Sequence, residues 1–338
     1  MTQAPDTTTP SAPSRAANTS PFAARQPIDR RGLRRMSLNT RSLYPFVLAW
    51  FAQIPPERRK ELHVLDLPAG SGVLSAPLAA AGFRVTPADL FPEYFEKANV
   101  DHAGRFVIDA FEAETEATMP PWLRERLFGD VTSNPPRPNG LTAAPSDMES
   151  ELPFDDASFD LIACVEGIEH VVDRHKTLRE LRRVLKPGGV MLITTPNLLS
   201  LRARFAYAFA GQRAFKSYID EHTSVWGRSA DGDRIYHGHA FLINYFQLRY
   251  SLFHTGFGVS GLWPSNWSPS SLAMAPLTPF IALATRRSQR KAIRKFERMR
   301  AAGDLPPGAE PPFREMRRHL VSANMLFNAT LMVEATAT

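Results

Sequence analysis

Two groups of residues in this sequence have the types and spacing to do chemistry. The first is DLPAGSG at 66–72, followed by Asp89. Glycines at 70 and 72 let a strand-to-helix turn bring its N–H groups against a ligand where a β-carbon would collide. Asp89 ends the next apolar run, where a carboxylate can accept from both hydroxyls of a ribose. The second group is EGIEH at 166–170, with YHGHAF downstream at 236–241. Carboxylate and imidazole together can hold a divalent ion such as Mg²⁺ or Zn²⁺, or take a proton near neutral pH. On a helical turn Glu166 and His170 share a face, being four residues apart.

The elements around these groups alternate in type. HVLDL (63–67) reads as a buried strand, VLSAPLAAAG as a helix stopped by Gly82, and FRVTPADL as a second strand. Pro77 sits late for a first-turn proline in that helix. FDLIACV (159–165) is a further strand, and DRHKTLRELRRVL is a helix capped by Asp173 with Leu178, Leu181, Val184 and Leu185 on one face. KPGG then turns the chain into VMLITTP. Such alternation specifies an α/β fold with a mostly parallel sheet covered by helices on both faces. TRSLYPFVLAWFAQ (40–53) suits a helix on the domain edge, NYFQLRYSLFHTGF a late helix, and NMLFNATLMVEA a closing edge strand.

Composition narrows the class. With 43% apolar residues the chain can bury a large core, while 29 prolines gather outside the expected strands. Residues 1–35 read as a disordered tail and 36–338 as one domain. Within it lie a Pro-rich insertion at 99–145, a cover segment at 200–236 and an apolar, basic insertion at 264–315. Cys164 is the single cysteine, which excludes a cysteine zinc cluster and suits a reducing compartment, the cytoplasm. The net charge of +6 comes from two runs, 25–41 and 286–300, which leave the remainder at −6. The basic pI therefore does not mark a nucleic-acid face.

The ligand of the glycine turn follows from its neighbours. A dinucleotide fingerprint wants a third small glycine where Ser75 stands, and Asp66 before the loop repels a pyrophosphate. S-adenosylmethionine (SAM) instead presents an ammonium and a sulfonium, both of which an acid attracts.

The segments VLDLPAGSG, ADLFPEYF, SDMESELPFDDASFDLIACVEGIEH and LRELRRVLKPGGVMLITTPN together resemble the class I SAM-dependent methyltransferases, of the subgroup that includes the ubiquinone-pathway O-methyltransferases. The resemblance spans about 62–260 and implies a Rossmann-like, seven-stranded, mostly parallel sheet. It implies that Asp66, Gly70 and Gly72 line the methionine end, that Asp89 with Leu90 holds the ribose, and that Asp147 with the Met148 backbone meets the adenine. Asp109 and Asp130 compete for that last place. Pro68 departs from the family's glycine and removes an N–H from the loop.

By the same resemblance Glu166, Glu169 and His170 form a metal site with His239, preferred over His237. The alternative leaves Glu169 and His170 as catalytic groups without an ion. Tyr207, Phe209, Phe215, Tyr218 and Trp226 fall where relatives cover the substrate or pack a core, and His175 and His222 read as surface groups. The expected acceptor is a hydroxyl of a small or lipid-linked molecule. Alternatives are an RNA-terminal 2′-hydroxyl methyltransferase, an NAD-dependent dehydrogenase and a non-catalytic SAM-binding partner protein. Residues 272–300 suit a peripheral contact at the inner face of a membrane or a lid backed by a solvated helix. The oligomeric state has no signature here.

Overall fold

The computed structural model describes residues 20–22, 25–91, 119–129, 141–213, 219–222, 224–228 and 235–338. The tail 1–19, most of the 99–145 insertion with Asp109 and Asp130, Phe215, Tyr218 and the side chain of Trp226 lie outside them.

Nine strands are described: β1 (His63–Asp66), β2 (Arg84–Asp89), β3 (Ala144–Pro145), β4 (Phe159–Cys164), β5 (Leu185–Pro196), β6 (Val225–Arg228), β7 (Ile235–His237), β8 (Phe257–Trp263) and β9 (Thr330–Ala337). Seven form one sheet in the order β3-β2-β1-β4-β5-β9-β8, and β6 pairs with β7 alone. Strands β1 to β5 run parallel, and β9 is antiparallel to both β5 and β8. This is the expected α/β, Rossmann-like sheet.

The central strands carry unbroken apolar stretches because successive side chains enter different cores. Val64, Leu161, Ala163, Val190 and Leu192 join one cluster, while Leu65, Ile162, Cys164, Met191 and Ile193 join the other. The first core is covered by the Tyr44–Phe51 helix, by Leu74 and Leu78, and by Leu123 and Leu127 of the Pro121–Phe128 helix. The second is covered by Leu178, Leu181 and Val184 of the Arg174–Val184 helix and by Leu248 and Leu252 of the Tyr245–His254 helix.

Several expectations are corrected. The tail was expected to reach residue 35, but Asp29 caps a helix at Arg30–Asn39 whose Leu33 and Met36 are buried. The 40–53 helix is no edge element, since every residue from Pro45 to Phe51 is buried. The last strand is no edge either: β9 lies between β5 and β8, with Leu331, Met332, Val333 and Ala335 buried. Its one buried acid, Glu334, accepts from Trp50 Nε1 (2.8 Å), the Arg25 guanidinium (2.6 Å) and the Ser260 hydroxyl (2.9 Å). Pro77 is accommodated because the helix begins at Ser75, within whose first turn a missing N–H costs no hydrogen bond.

One buried cation ties the described end of the Pro-rich insertion to the segments that precede β1 and β2. The Arg59 guanidinium, 1% exposed, donates to the carbonyls of Ile54 (3.0 Å), Ala81 (3.3 Å), Leu127 (2.7 Å) and Arg126 (2.9 Å). Burial and the neighbouring Arg126 lower its pKa to about 10. Arg59→Ala leaves these carbonyls unpaired, and chemical denaturation is expected to show a loss of roughly 3 kcal/mol, with Arg59→Lys recovering only part of it.

Candidate active site

Four strand ends meet along one edge of the sheet. β1 ends in Asp66 and β2 in Asp89; Asp147 lies just beyond β3 and Glu166 just beyond β4. The strand order reverses between β1 and β4, so the crevice opens between the loops that follow these two strands.

The glycine loop is built as its residues require. Gly70 (φ +54°) and Gly72 (φ +80°) lie in the left-handed region, and a β-carbon at Gly70 would meet no protein atom within 4 Å. Asp89 holds the loop in place, accepting from Gly70 N–H (2.8 Å) and Phe91 N–H (2.9 Å), with Leu90 half-buried between. Each carboxylate oxygen has a second lone pair left for a ligand hydroxyl.

Asp66 is fully buried and takes a short hydrogen bond from the Ser75 hydroxyl (2.6 Å). Burial pushes its pKa up to about 7, the Asp89 charge adds to the rise, and the Ser75 hydrogen bond opposes it. Ser75, read in the sequence only as the absence of a glycine, positions this acid.

Asp147 stands where β3 joins β2, and Ser146 N–H donates to the Asp89 carbonyl (2.7 Å). Its carboxylate accepts from Glu149 N–H and the Ser150 hydroxyl, each at 2.9 Å, which is local turn capping. Met148 is buried, and its carbonyl accepts from the Thr177 hydroxyl (2.8 Å). Pro68 packs across the crevice: a β-carbon on Gly167 would lie 2.5 Å from Pro68 Cδ and 3.3 Å from Met148 Sδ. The sequence reading passed over Gly167, although it is the residue on which the two loops close.

The EGIEH loop is not helical, so the shared face expected of Glu166 and His170 does not form. Glu166 takes a positive φ (+52°), donates its N–H to the Thr194 hydroxyl (2.9 Å), and is followed by a turn from Gly167 to His170. Glu169, His170 and His239 do converge, their ligand atoms all within 4.8 Å of one another, and Glu166 is outside that group. His170 Nδ1 lies 2.9 Å from the His237 carbonyl, which can only accept, so Nδ1 is the donor in this contact. The His237 ring packs on Phe241 instead, and neither His175 nor His222 joins the three.

Both oxygens of Glu169 are buried, and among the described residues no hydrogen-bond partner meets normal geometry, although the Thr195 hydroxyl stands beside them. Burial pushes the Glu169 pKa up to about 8, with the Glu166 charge adding to it. Burial raises Glu166 as well, opposed by the Arg213 guanidinium. Arg213 lies outside every motif of the sequence, yet its charge acts on Glu166, Glu169 and His239 together. Loss of water, His170 and Arg213 lower the His239 pKa, although that ring keeps one side exposed.

The sheet, the glycine loop and the acids at the strand ends define the class: a SAM-dependent methyltransferase domain. The chain belongs to the methyltransferase-domain family, whose model matches residues 40–259. It is 36% identical over 131 residues to a demethylmenaquinone methyltransferase of Clavibacter sepedonicus, covering 39% of this chain and 40% of that protein. It is 28% identical over 149 residues to a ubiquinone biosynthesis O-methyltransferase of Rickettsia prowazekii, covering 44% of each. The chain thus spans less than half the length of these curated relatives. A SAM-dependent methyltransferase structure from Methanosarcina mazei aligns with 60% of this chain and 83% of its own, at 20% identity and a TM-score of 0.35.

Two outcomes follow from this geometry. Because Asp66 binds its proton up to about pH 7, holding an ammonium there requires that proton to leave. SAM affinity measured by calorimetry is therefore expected to fall as pH drops below 7, by up to about tenfold per unit, and Asp66→Asn should flatten the dependence. Gly167→Ala drives the β4 loop off Pro68 and is expected to weaken SAM binding about tenfold while the far-UV spectrum stays unchanged.

Proposed function

We propose that this chain transfers the methyl group of SAM to a hydroxyl of a small or lipid-linked acceptor. The observation that carries the reading is the convergence of Glu169, His170 and His239 beside the cofactor crevice, with the Glu169 oxygens buried and lacking a well-formed hydrogen bond among the described residues.

The chain's own groups divide the work. Asp66 attracts the methionine ammonium, Asp89 takes the ribose hydroxyls, and Gly70 leaves room for both. Asp147 and the Met148 backbone stand at the adenine end. Holding the acceptor oxygen in line with the S–CH₃ bond lets its lone pair form the new C–O bond as the S–CH₃ pair returns to sulfur. Such alignment can supply up to roughly 7–11 kcal/mol of the barrier. With no ion bound, the acceptor's proton passes to His170 Nε2, the ring nitrogen that the His237 carbonyl does not engage.

The same three side chains fit a divalent metal ion: two imidazoles and one carboxylate form a donor set suited to Zn²⁺ or a similar ion, whereas Mg²⁺ favours oxygen donors. The Glu169 oxygens, without a well-formed partner among the described residues, and the Nδ1 hydrogen bond that orients His170 suit such a set. When bound, the ion would lower the pKa of an acceptor hydroxyl and orient it. The names of the two curated relatives, quinone-pathway methyltransferases, support an acceptor with a hydroxylated ring and an apolar tail.

The test is incubation of the full chain with methyl-labelled SAM and a short-tailed polyprenyl dihydroxybenzene, with the product located by NMR. A labelled methyl ether is expected; label on a ring carbon, or none on the acceptor, overturns the reading. His239→Ala is expected to lower kcat at least about tenfold and to reduce the zinc retained after dialysis. Full activity and no retained metal after chelation would remove the ion and leave Glu169 and His170 as an acid–base pair.

A further inference from the structure

The longest helix of the described residues, Thr278–Ala302, has 25 residues and buries none of them. Its inner side is tied to the Phe313–Leu320 helix by the Phe296–Phe313 ring contact (5.9 Å) and by Gln289 Nε2 donating to the Phe313 carbonyl (3.1 Å). The outer side is left to solvent, and its pattern is directional. Phe280, Ala284, Arg287, Lys291, Arg294 and Arg298 follow one another at spacings of four and three, which is a single stripe on a helix. That stripe is apolar at its start and basic from Arg287 onward.

Phe280 is 71% exposed, and Leu283 (48%) and Leu277 (42%) flank it. Residues 286–300 carry eight Arg and Lys against one Glu. Among the described residues, none of Arg287, Lys291, Arg294 and Arg298 pairs with a carboxylate. No helix of the described residues is long and apolar enough to cross a membrane. With a rise of about 1.5 Å per residue, the apolar end precedes Lys291 by roughly 16 Å. Apolar and basic groups are therefore segregated along the axis. A nucleic acid would call for aromatics interleaved with the cations. A bilayer surface accommodates this segregation when the helix tilts, its apolar end in hydrocarbon and its basic stretch at the phosphates.

We propose that Thr278–Ala302 is a docking helix for an anionic lipid surface. Phe280, Leu283 and Leu277 enter the acyl boundary, and the Arg287–Arg298 stripe lies along the headgroup phosphates. The helix is joined to the active-site edge: the Leu201–Ala210 helix that follows β5 packs on Pro269–Ala273, where Arg202 N–H donates to the Ser271 hydroxyl (3.2 Å), and the chain then turns into Thr278. The inference concerns where the chain works and holds for any acceptor.

The experiment is co-sedimentation of the full chain with vesicles of phosphatidylcholine alone and of equal parts phosphatidylglycerol and phosphatidylcholine. Binding to the anionic vesicles only is expected, weakened about tenfold or more by high salt and by the combined Arg287→Glu, Lys291→Glu and Arg294→Glu variant. The Phe280→Ser, Leu283→Ser pair is also expected to weaken it, a loss that a purely electrostatic contact would not show. Unchanged SAM affinity by calorimetry certifies that the variants fold. Failure to bind anionic vesicles, binding that survives both variants, or salt-sensitive binding of RNA without vesicle binding overturns the proposal.

Discussion

The central strands are parallel and must be covered on both faces, and the rest of the structure follows from that constraint. β1, β4 and β5 send alternate residues into two separate cores, so helices are needed above and below. The two faces are thereby closed to ligands. What remains open at the centre of the sheet is the edge where the parallel strands end, and the reversal of strand order between β1 and β4 splits that edge into a crevice.

The crevice is unusual in its charge. Asp66 and Glu169 are both buried, and both have pKa values pushed upward by loss of water. Among the described residues neither has an ion-pair partner of the ordinary close kind; Asp66 has a serine hydroxyl, and Glu169 has Arg213 at longer range. Unbalanced buried acids cost stability, and a cation recovers it. One acid sits at the end expected to receive an ammonium, the other among two histidines that could share a metal ion. In the proposed reaction the same physical device would serve cofactor binding on one side of the crevice and acceptor activation on the other.

Much of this was legible in the sequence where period and punctuation agree. β1, β2, β4 and the helix capped by Asp173 follow their apolar pattern closely. The failures have physical reasons. Leu33 and Met36 form a buried pair three apart, hidden among six arginines, so the first helix read as tail. β9 carries Thr and Glu between its apolar residues and so resembled a half-exposed strand; Glu334 is buried because Trp50, Arg25 and Ser260 satisfy it, which only the fold reveals. β3 is two residues long and ends in a proline, too little for any pattern. EGIEH follows a strand directly and contains Gly167 at a point of contact, so it turns sharply where a helical reading would have aligned Glu166 with His170. Arg213 had no motif at all, since its role comes from the place to which the helix ending at Gly211 delivers it.

The position of β9 also sets an order of events during synthesis. Among the described strands β8 joins the sheet only through β9, which pairs with β5 on its other side. A ribosome makes β8, and then the whole basic helix, before the strand that joins them to β5 exists. Until then β5 presents an uncovered row of backbone donors and acceptors, the kind of edge on which nascent chains aggregate. The sheet therefore closes in its middle only once β9 has been made, and until then that temporary edge needs shelter.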